Sequence, residues 1–190
     1  MRYIIKLSYD GSAFCGWQIQ NNARTVQGEI EKAASTLLGV AVQVTGAGRT
    51  DTGVNAINYI AHIELPDEVS VEAAHLCYKL NAMLPREVTI HEVSVAEDEF
   101  HARFDATSRE YHYFIHFCKD PFCEKYSYRM RYRLDVEAMN KAAGLLLFLF
   151  PLTLRVIEPA YSAAVVCAVA TVAAVQESYL IASGREIVRL

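Results

Sequence analysis

The chain has 190 residues, 53% of them hydrophobic and 21% charged, which is enough to bury the core of one domain or of two small ones. A formal net charge of -4 and an isoelectric point near 5.9 argue against a protein that holds nucleic acid by overall positive charge. Any RNA contact would therefore depend on a local basic patch.

Strands and helices alternate in the first half of the sequence. Alternating apolar and polar residues predict the strands, and apolar residues at helical spacing predict the helices. In chain order these are a strand at 2–9 that ends in the Asp10-Gly11 turn, a helix capped by Thr25 and closed by Gly39, strands at 40–44 and 57–65, a helix capped by Ser70 that stops before Pro85, and a strand at 88–95. The two central strands are expected to flank a glycine-rich loop at 46–53 as a hairpin-like pair.

The resulting order, β-α-β-β-α-β, is that of the ferredoxin-like split motif, which RNA recognition domains also use. In that motif two helices back four antiparallel strands. We therefore predict an α+β fold in which residues 1–100 form a ferredoxin-like half that carries the glycine-rich loop. Because a fold does not determine a function, the order by itself only allows RNA binding.

The second half, residues 101–190, is expected to be an incomplete α/β unit. Residues 109–117 predict a long strand, and residues 136–147 predict a helix capped by Asp135. Cations and aromatic rings interleave here: Arg103, Arg109, Lys119, Lys125, Arg129, Arg131 and Arg133, with Phe104, Tyr111, Tyr113, Phe114, Tyr126, Tyr128 and Tyr132. Such a mixture suits looped RNA, since cations neutralise phosphates and rings stack on bases. A solvated hairpin with its ordinary share of Tyr and Arg is the alternative.

The tail differs in character from the rest of the sequence. Residues 148–157 are mostly apolar, and residues 160–175 form an Ala/Val-rich run without a charged residue. Crossing a bilayer takes about 20 apolar residues, so this run is short, and Pro151, Arg155 and Glu158 interrupt anything longer. Three interpretations of the tail stay open: a buried strand or helix, a segment foreign to the rest of the sequence, and a membrane anchor.

The cysteines and histidines do not form a recognisable metal or redox motif. The five cysteines are odd in number and no pair has a two-residue gap, which favours reduced, structural thiols: Cys15, Cys77, Cys118, Cys123 and Cys167. No ligand-like spacing joins the histidines to cysteines or acids, so we expect no metal site. The N-terminus is typical of a strand and not of a signal peptide, and the cytoplasm is the expected compartment.

The glycine-rich loop carries the best candidate for chemistry. Its glycines allow a tight turn and the close approach of a ligand. Asp51 could act there as a nucleophile or general base, and Arg49 could hold it ionised. A plain turn in which Asp51 bonds its own backbone is the alternative. The loop lacks the lysine and helix start of a phosphate-binding loop, and no nucleophile elbow occurs in the sequence.

Four short motifs follow one another over about 110 residues. They are Tyr9-Asp10-Gly11 with Phe14 and Gly16-Trp17-Gln18; Thr25-Val26-Gln27; Gly46-Ala47-Gly48-Arg49-Thr50-Asp51 with Gly53-Val54; and Phe100-His101-Ala102-Arg103-Phe104 with Ala106, Arg109, Tyr111 and Tyr113. In order and spacing they resemble the TruA-type tRNA pseudouridine synthases. Each motif is weak alone, but four in register make coincidence improbable. The resemblance covers about residues 1–147.

The resemblance implies a pseudouridine-synthase fold and an isomerase that acts on a uridine in the anticodon stem-loop of tRNA. Such an enzyme cuts the N-glycosidic bond, turns the base and rejoins it through carbon, with no cofactor or metal. Matched residue by residue, Asp51 takes the place of the catalytic aspartate, Arg49 that of the arginine that displaces the base, and Tyr111 that of the tyrosine that stacks on it. The expected RNA-binding residues are His101, Arg103, Arg109 and Tyr113. Family members are homodimers whose tRNA lies across both subunits.

Two departures from the family pattern lie close to the loop, and a larger one begins after Leu147. Asn55 stands where the family commonly has His, and Thr52 where it commonly has Ala. The family's later Gly-x-His/Tyr-Asp-Phe turn and its basic Met-Val-Arg segment are not recognisable in residues 148–190. We therefore hypothesise that the tail is a frame-shifted or truncated end. The alternative to an active enzyme is then an impaired fragment that only binds RNA.

Overall fold

The structure is a computed structural model that describes residues 1–66, 69–153 and 185–189, with side chains described as far as residue 145. It divides into two compact units. The N-terminal unit comprises Met1–Thr107 with Glu186–Leu190, and the second unit comprises Ser108–Arg185. The predicted Ala/Val run at 160–175 lies outside the described residues, and the predicted division of the fold at residue 100 stays a prediction.

The N-terminal unit follows the predicted β-α-β-β-α-β order. Its elements are β1 (Arg2–Tyr9), a 3-10 turn (Gly11–Ala13), α1 (Val26–Leu38), β2 (Gln43–Gly46), β3 (Asn55–Glu64), α2 (Ala73–Met83) and β4 (Val88–Ala96). Strand β1 pairs antiparallel with both β3 and β4, and β2 pairs antiparallel with β3. The spatial order β4-β1-β3 with β2 on β3 confirms the predicted α+β fold and the hairpin-like pair.

The core of this unit lies between the sheet and its two helices. Strand β1 buries every second residue, as the period of two predicts. The buried side chains of β1 and α1 are Tyr3, Ile5, Leu7, Tyr9, Val26, Ile30, Ala33 and Ala34. Burial of each large apolar side chain stabilises the fold by about 1.5–3 kcal/mol. On α2, Leu76 and Leu80 are fully buried, and the amide of Asn81 bonds both the N–H and the carbonyl of Ile90 on β4.

The ends of α1 confirm their predicted caps, whereas the predicted cap of α2 is wrong. Thr25 Oγ1 accepts a hydrogen bond from the Gly28 N–H at 3.3 Å, and Gly39 ends the helix in the left-handed region at φ 70°. Helix α2 begins only after Glu72, which makes no side-chain cap bond. The preceding chain is extended because the Tyr3 hydroxyl donates to the Val71 carbonyl at 2.8 Å, so Ser70 lies outside the helix.

The pairing of β1 with its two neighbours is irregular at two positions close to Ser8, between Leu7 and Tyr9 towards β3 and between Lys6 and Leu7 towards β4. The β1–β3 register shifts between Leu7 and Tyr9, which leaves Asn58 in a left-handed conformation at φ 55°. The β1–β4 register also shifts nearby, beside His91. Ser8 Oγ accepts from the Asn58 N–H at 3.1 Å and lies 2.7 Å from His91 Nε2. Because a bulge bends its strand, this arrangement sets the direction in which β3 leaves the glycine-rich loop.

Between residues 108 and 153, the described part of the second unit contains three short strands and a helix. They are β5 (Ser108–His112), β6 (Ile115–His116), β7 (Tyr128–Arg129) and α3 (Val136–Thr153). The predicted single strand at 109–117 is wrong, because the chain leaves β5 after His112 and then pairs in parallel with β7. Asp135 Oδ1 accepts from the Ala138 N–H at 2.9 Å, which confirms the predicted cap of α3. A last strand, β8 (Arg185–Arg189), lies beside β3. In the described part of the chain, no helix is both long and apolar enough to cross a membrane.

Candidate active site

Three buried aromatic rings support the glycine-rich loop between β2 and β3. Trp17 and Tyr59 have ring centroids 4.3 Å apart, and Tyr9 lies 6.0 Å from Trp17 and 5.8 Å from Tyr59. We call these three residues the aromatic brace. A Cβ added to Gly46 would lie 2.2 Å from the Tyr59 hydroxyl and 2.5 Å from the Trp17 ring, so only glycine lets the loop begin this close to the brace.

The two tyrosine hydroxyls of the brace bond the loop directly. The Tyr59 hydroxyl donates to the Gly48 carbonyl and accepts from the Gly48 N–H. The Tyr9 hydroxyl bonds Thr50 Oγ1 at 2.8 Å in a buried position. A tyrosine suits this role because its ring packs in the core while its hydroxyl reaches a polar partner. The loop is thus held immediately before Arg49 and immediately before Asp51.

Backbone bonds join the same loop to the segment that follows β1. The Trp17 N–H donates to the Thr50 carbonyl at 3.1 Å, and the Gly53 N–H donates to the Phe14 carbonyl at 3.3 Å. Gly16 has φ 82°, and a Cβ there would lie 2.3 Å from the Thr50 carbonyl oxygen. This close approach joins the Gly16-Trp17 pair to the loop motif, so the two segments form one structural unit.

Arg49 and Asp51 are both exposed on this loop, and Thr50 between them is buried. The anchored threonine therefore leaves its two neighbours to face solvent. The turn is closed by the Asp51 carbonyl, which accepts from the Val54 N–H at 3.2 Å, and not by the carboxylate. Among the described residues Arg49 and Asp51 form no ion pair with each other. An exposed carboxylate on a fixed backbone is available to a substrate.

Asn55, the departure from the family's histidine, has a structural partner at the end of the loop. Its Oδ1 accepts from the buried Gly11 N–H at 2.8 Å. A Cβ on Gly11 would lie 2.0 Å from the Val54 carbonyl oxygen, so the Asp10-Gly11 turn packs directly on the loop. The amide at position 55 thus joins the end of β1 to the start of β3.

The other predicted site residues fall into both units. His101 and Arg103 lie in the N-terminal unit, in the turn after β4, with Arg103 exposed. Arg109 and Tyr111 lie on β5 of the second unit, and Tyr113 follows that strand with its side chain exposed. That the side chain of Tyr111 lies next to those of Arg49 and Asp51 stays a prediction. The second unit also exposes several large aromatic side chains, namely Phe117, Phe122, Tyr128 and Tyr132.

Sequence reasoning placed Tyr9 and Trp17 in a family motif without assigning them a role, and it missed Tyr59. Tyr9 and Tyr59 sit at inward positions of strands, where an aromatic residue is ordinary, and no local pattern marks their hydroxyls as loop anchors. Within the described residues, no group of three or more His, Cys, Asp and Glu side chains is placed to hold a metal ion. The cysteines at 15, 77, 118 and 123 are free thiols.

Comparison with known proteins shows which family the first three quarters of the chain resembles. No family model matches the sequence. The chain is 46% identical over 145 residues to tRNA pseudouridine synthase A of Porphyromonas gingivalis, which is 76% of this chain and 58% of that protein. It is 45% identical over 145 residues to the protein of the same name from Parabacteroides distasonis (76% and 57%), and 42% identical over 147 residues to that from Bacillus subtilis (75% and 59%).

The chain thus spans less than three fifths of the length of these curated relatives. Identity at this level over about 145 residues, together with an α+β fold in the predicted order, confirms the resemblance that the four motifs indicated. About three quarters of this chain is a segment of the TruA-type tRNA pseudouridine synthases.

Proposed function

We propose that the protein converts uridine to pseudouridine in the anticodon stem-loop of tRNA, with Asp51 as its catalytic carboxylate. The observation that carries the proposal is the exposure of Asp51 and Arg49 on a loop held on the aromatic brace. Relatives that are 42–46% identical carry the name tRNA pseudouridine synthase A, which supports the same reaction class.

The reaction suits a single carboxylate. The bond from N1 of the uracil to C1′ of the ribose breaks, and a bond from C5 to C1′ forms. C5 loses a proton and N1 gains one, so the product is an isomer and no oxidant, reductant or metal enters the balance. An ionised Asp51 can either attack C1′ or take a proton from the sugar, and a fixed loop backbone keeps it in position for the turned base.

The remaining roles are those that the family resemblance implies, and each suits the chemistry of its side chain. Arg49, next to the anchored Thr50, occupies the space of the displaced base, and the ring of Tyr111 stacks on the turned uracil. His101, Arg103, Arg109 and Tyr113 bind the RNA by charge and stacking. Turning a uridine out of its stack costs a few kcal/mol, which nucleotides in a loop partly avoid. We place the reaction in the cytoplasm, on a homodimer that needs no cofactor.

The test is Asp51→Asn, a nearly isosteric change that removes the charge. Turnover is followed by release of tritium from a stem-loop labelled at uridine C5, and RNA binding by fluorescence anisotropy. We expect turnover to fall at least ~10³-fold while binding is retained. Asp98→Asn, the same change at an exposed position after β4, is the matched control and should leave both unchanged.

Two outcomes would contradict the proposal. If Asp51→Asn releases tritium at the unmutated rate, Asp51 is not the catalytic group. If the unmutated chain binds the stem-loop but releases no tritium, the protein is an RNA-binding module instead of an enzyme.

A further inference from the structure

The turn after β4, residues 100–105, is held by hydrogen bonds that its backbone N–H groups donate to carbonyl and side-chain acceptors. We call it the His101 turn. The N–H groups of successive residues donate as follows: Phe100 to the Glu97 carbonyl, His101 to Asp105 Oδ2, Ala102 to His62 Nδ1, Arg103 to His101 Nδ1, and Phe104 and Asp105 to the His101 carbonyl. Because so many donors are satisfied inside one short turn, its shape is well defined.

Two side chains of the sheet attach this turn to the N-terminal unit. The Arg2 guanidinium, on β1, donates to the Phe100 carbonyl. His62, on β3, accepts from the Ala102 N–H at 3.1 Å in a fully buried contact. In this second contact both residues are inaccessible to water, since His62 is 2% and Ala102 0% exposed. The contact with His62 therefore has no competing water bond.

The bond at Nδ1 fixes the protonation state of His62. A ring nitrogen accepts a hydrogen bond only when it carries no proton, so His62 is the neutral form with its hydrogen on Nε2. That Nε2 lies 3.8 Å from Glu64 Oε1. The His101 ring packs edge-on against His62 with centroids 5.1 Å apart, and Phe100 packs edge-on at 6.1 Å.

One strand thereby connects both parts of the candidate site. β3 begins immediately after the glycine-rich loop, bonds that loop through Tyr59, and bonds the His101 turn through His62. Tyr59 and His62 are three residues apart on a strand that is hydrogen-bonded on both sides. Both the loop that carries Asp51 and the turn that carries the exposed Arg103 are therefore attached to the same strand.

We propose that His62, as a buried neutral imidazole, is the positioning residue that holds the His101 turn on β3 and so presents Arg103 and His101 to the RNA. The reference to RNA rests on the proposed function, whereas the attachment of the turn does not. A histidine that only filled space would need no acceptor at Nδ1. Replacement by an apolar side chain would leave the Ala102 N–H buried without a partner.

Burial and the neighbouring cations keep His62 neutral. Its pKa is lowered from 6.5 to about 4, with burial as the largest cause and Arg2 and His101 acting in the same direction, while Glu64 and Asp105 oppose them. These four groups come from β1, β3 and the His101 turn, which are the elements that carry charge next to the ring. A proton on Nδ1 would face the Ala102 N–H donor to donor, so the bond is lost when His62 is protonated.

The experiment compares His62→Leu with His62→Asn. Leucine fills space without an acceptor, whereas the asparagine oxygen stands near the position of Nδ1 and does not titrate. We expect His62→Leu to raise KM for the stem-loop about tenfold with kcat unchanged, and to accelerate hydrogen exchange of the Ala102 amide by a similar factor. His62→Asn should restore both to within about threefold. His75→Leu, at an exposed position on α2, is the control and should alter neither.

The two readouts separate this proposal from the proposed function. If the unmutated chain does not bind the stem-loop, the proposed function fails, and exchange of the Ala102 amide still tests the attachment. If Asn fails to slow that exchange relative to Leu, the acceptor role of His62 is wrong. If both His62 variants keep the unmutated KM, His62 does not position the RNA-binding residues. If kcat falls together with the rise in KM, the effect is a general loss of structure and the positioning role is wrong.

Discussion

The Tyr59 hydroxyl bonds both the N–H and the carbonyl of Gly48, one residue before Arg49. Tyr59→Phe keeps the ring and removes the hydroxyl with its bonds to Gly48, so we expect a loss of about 1 kcal/mol in the free energy of unfolding. We also expect turnover to fall about tenfold, because a displaced loop loses the alignment of its carboxylate. Urea denaturation and tritium release measure the two effects.

Tyr3→Phe is the matched control for this change. The Tyr3 ring is also buried, and its hydroxyl donates to the Val71 carbonyl, which precedes α2 and lies outside the glycine-rich loop. Tyr3→Phe should lower the free energy of unfolding by a similar amount and leave turnover unchanged. Equal turnover in the two variants would show that the Tyr59 hydroxyl does not position the loop.

The lowered pKa of His62 predicts how stability depends on pH. Between about 4, its folded value, and 6.5, its ordinary value, the unfolded chain binds more protons at this residue than the folded chain. The free energy of unfolding therefore rises with pH through this window. The contribution of neutral His62 is fully present above pH 6.5 and is lost as the pH falls to about 4. The contribution is up to about 3 kcal/mol. Urea denaturation between these pH values should show a flatter dependence in His62→Asn, and an unchanged slope would contradict the prediction.

At the scale of elements, the irregular pairing of β1 with β3 lies beside Asn58, in the first half of β3. Asn58 is left-handed at φ 55°, a conformation that glycine and asparagine tolerate and β-branched residues do not. We expect Asn58→Val to lower the free energy of unfolding by about 1–2 kcal/mol, and Asn58→Gly to change it by less than about 0.5 kcal/mol. Urea denaturation of both variants is the measurement. Equal stability of the valine and glycine variants would mean that the bulge is not constrained by this conformation.

The errors of prediction at this scale have a common cause. The alternation at 109–117 is compatible with one strand, but pairing of Ile115 with Tyr128 divides it. Ser70 is a good cap residue, but the bonds of Tyr3 to Val71 keep the chain extended past it. In both places a contact distant in sequence outweighs a correct local preference.

For the whole molecule, a net charge of -4 means that RNA binding must come from few phosphate contacts. Each contact with a single strand contributes about -0.7 to the slope of log affinity against log salt concentration. We expect Arg103→Ala to make this slope shallower by about one such contact and to weaken binding at low salt. Anisotropy titrations over a range of salt concentrations measure both.

Lys79→Ala removes an exposed charge from α2 and is the control for that titration. Its slope should equal that of the unmutated chain, because the charge lost lies outside the proposed RNA-binding residues. If the two variants behave alike, binding depends on total charge and not on the His101 turn.

The sequence by itself determined the α+β order, both caps of α1, the cap of α3, the glycine-rich loop and the relationship to tRNA pseudouridine synthases. Each of these depends on periodicity, on a capping residue or on a short motif, all of which lie within a few neighbouring positions. Only the tertiary structure decided the aromatic brace, the two register shifts of β1 near Ser8 and the bond between His62 and Ala102, which lie 40 residues apart. These contacts depend on which strands pair and in what register, and pairing is a property of the packed sheet that no single segment encodes.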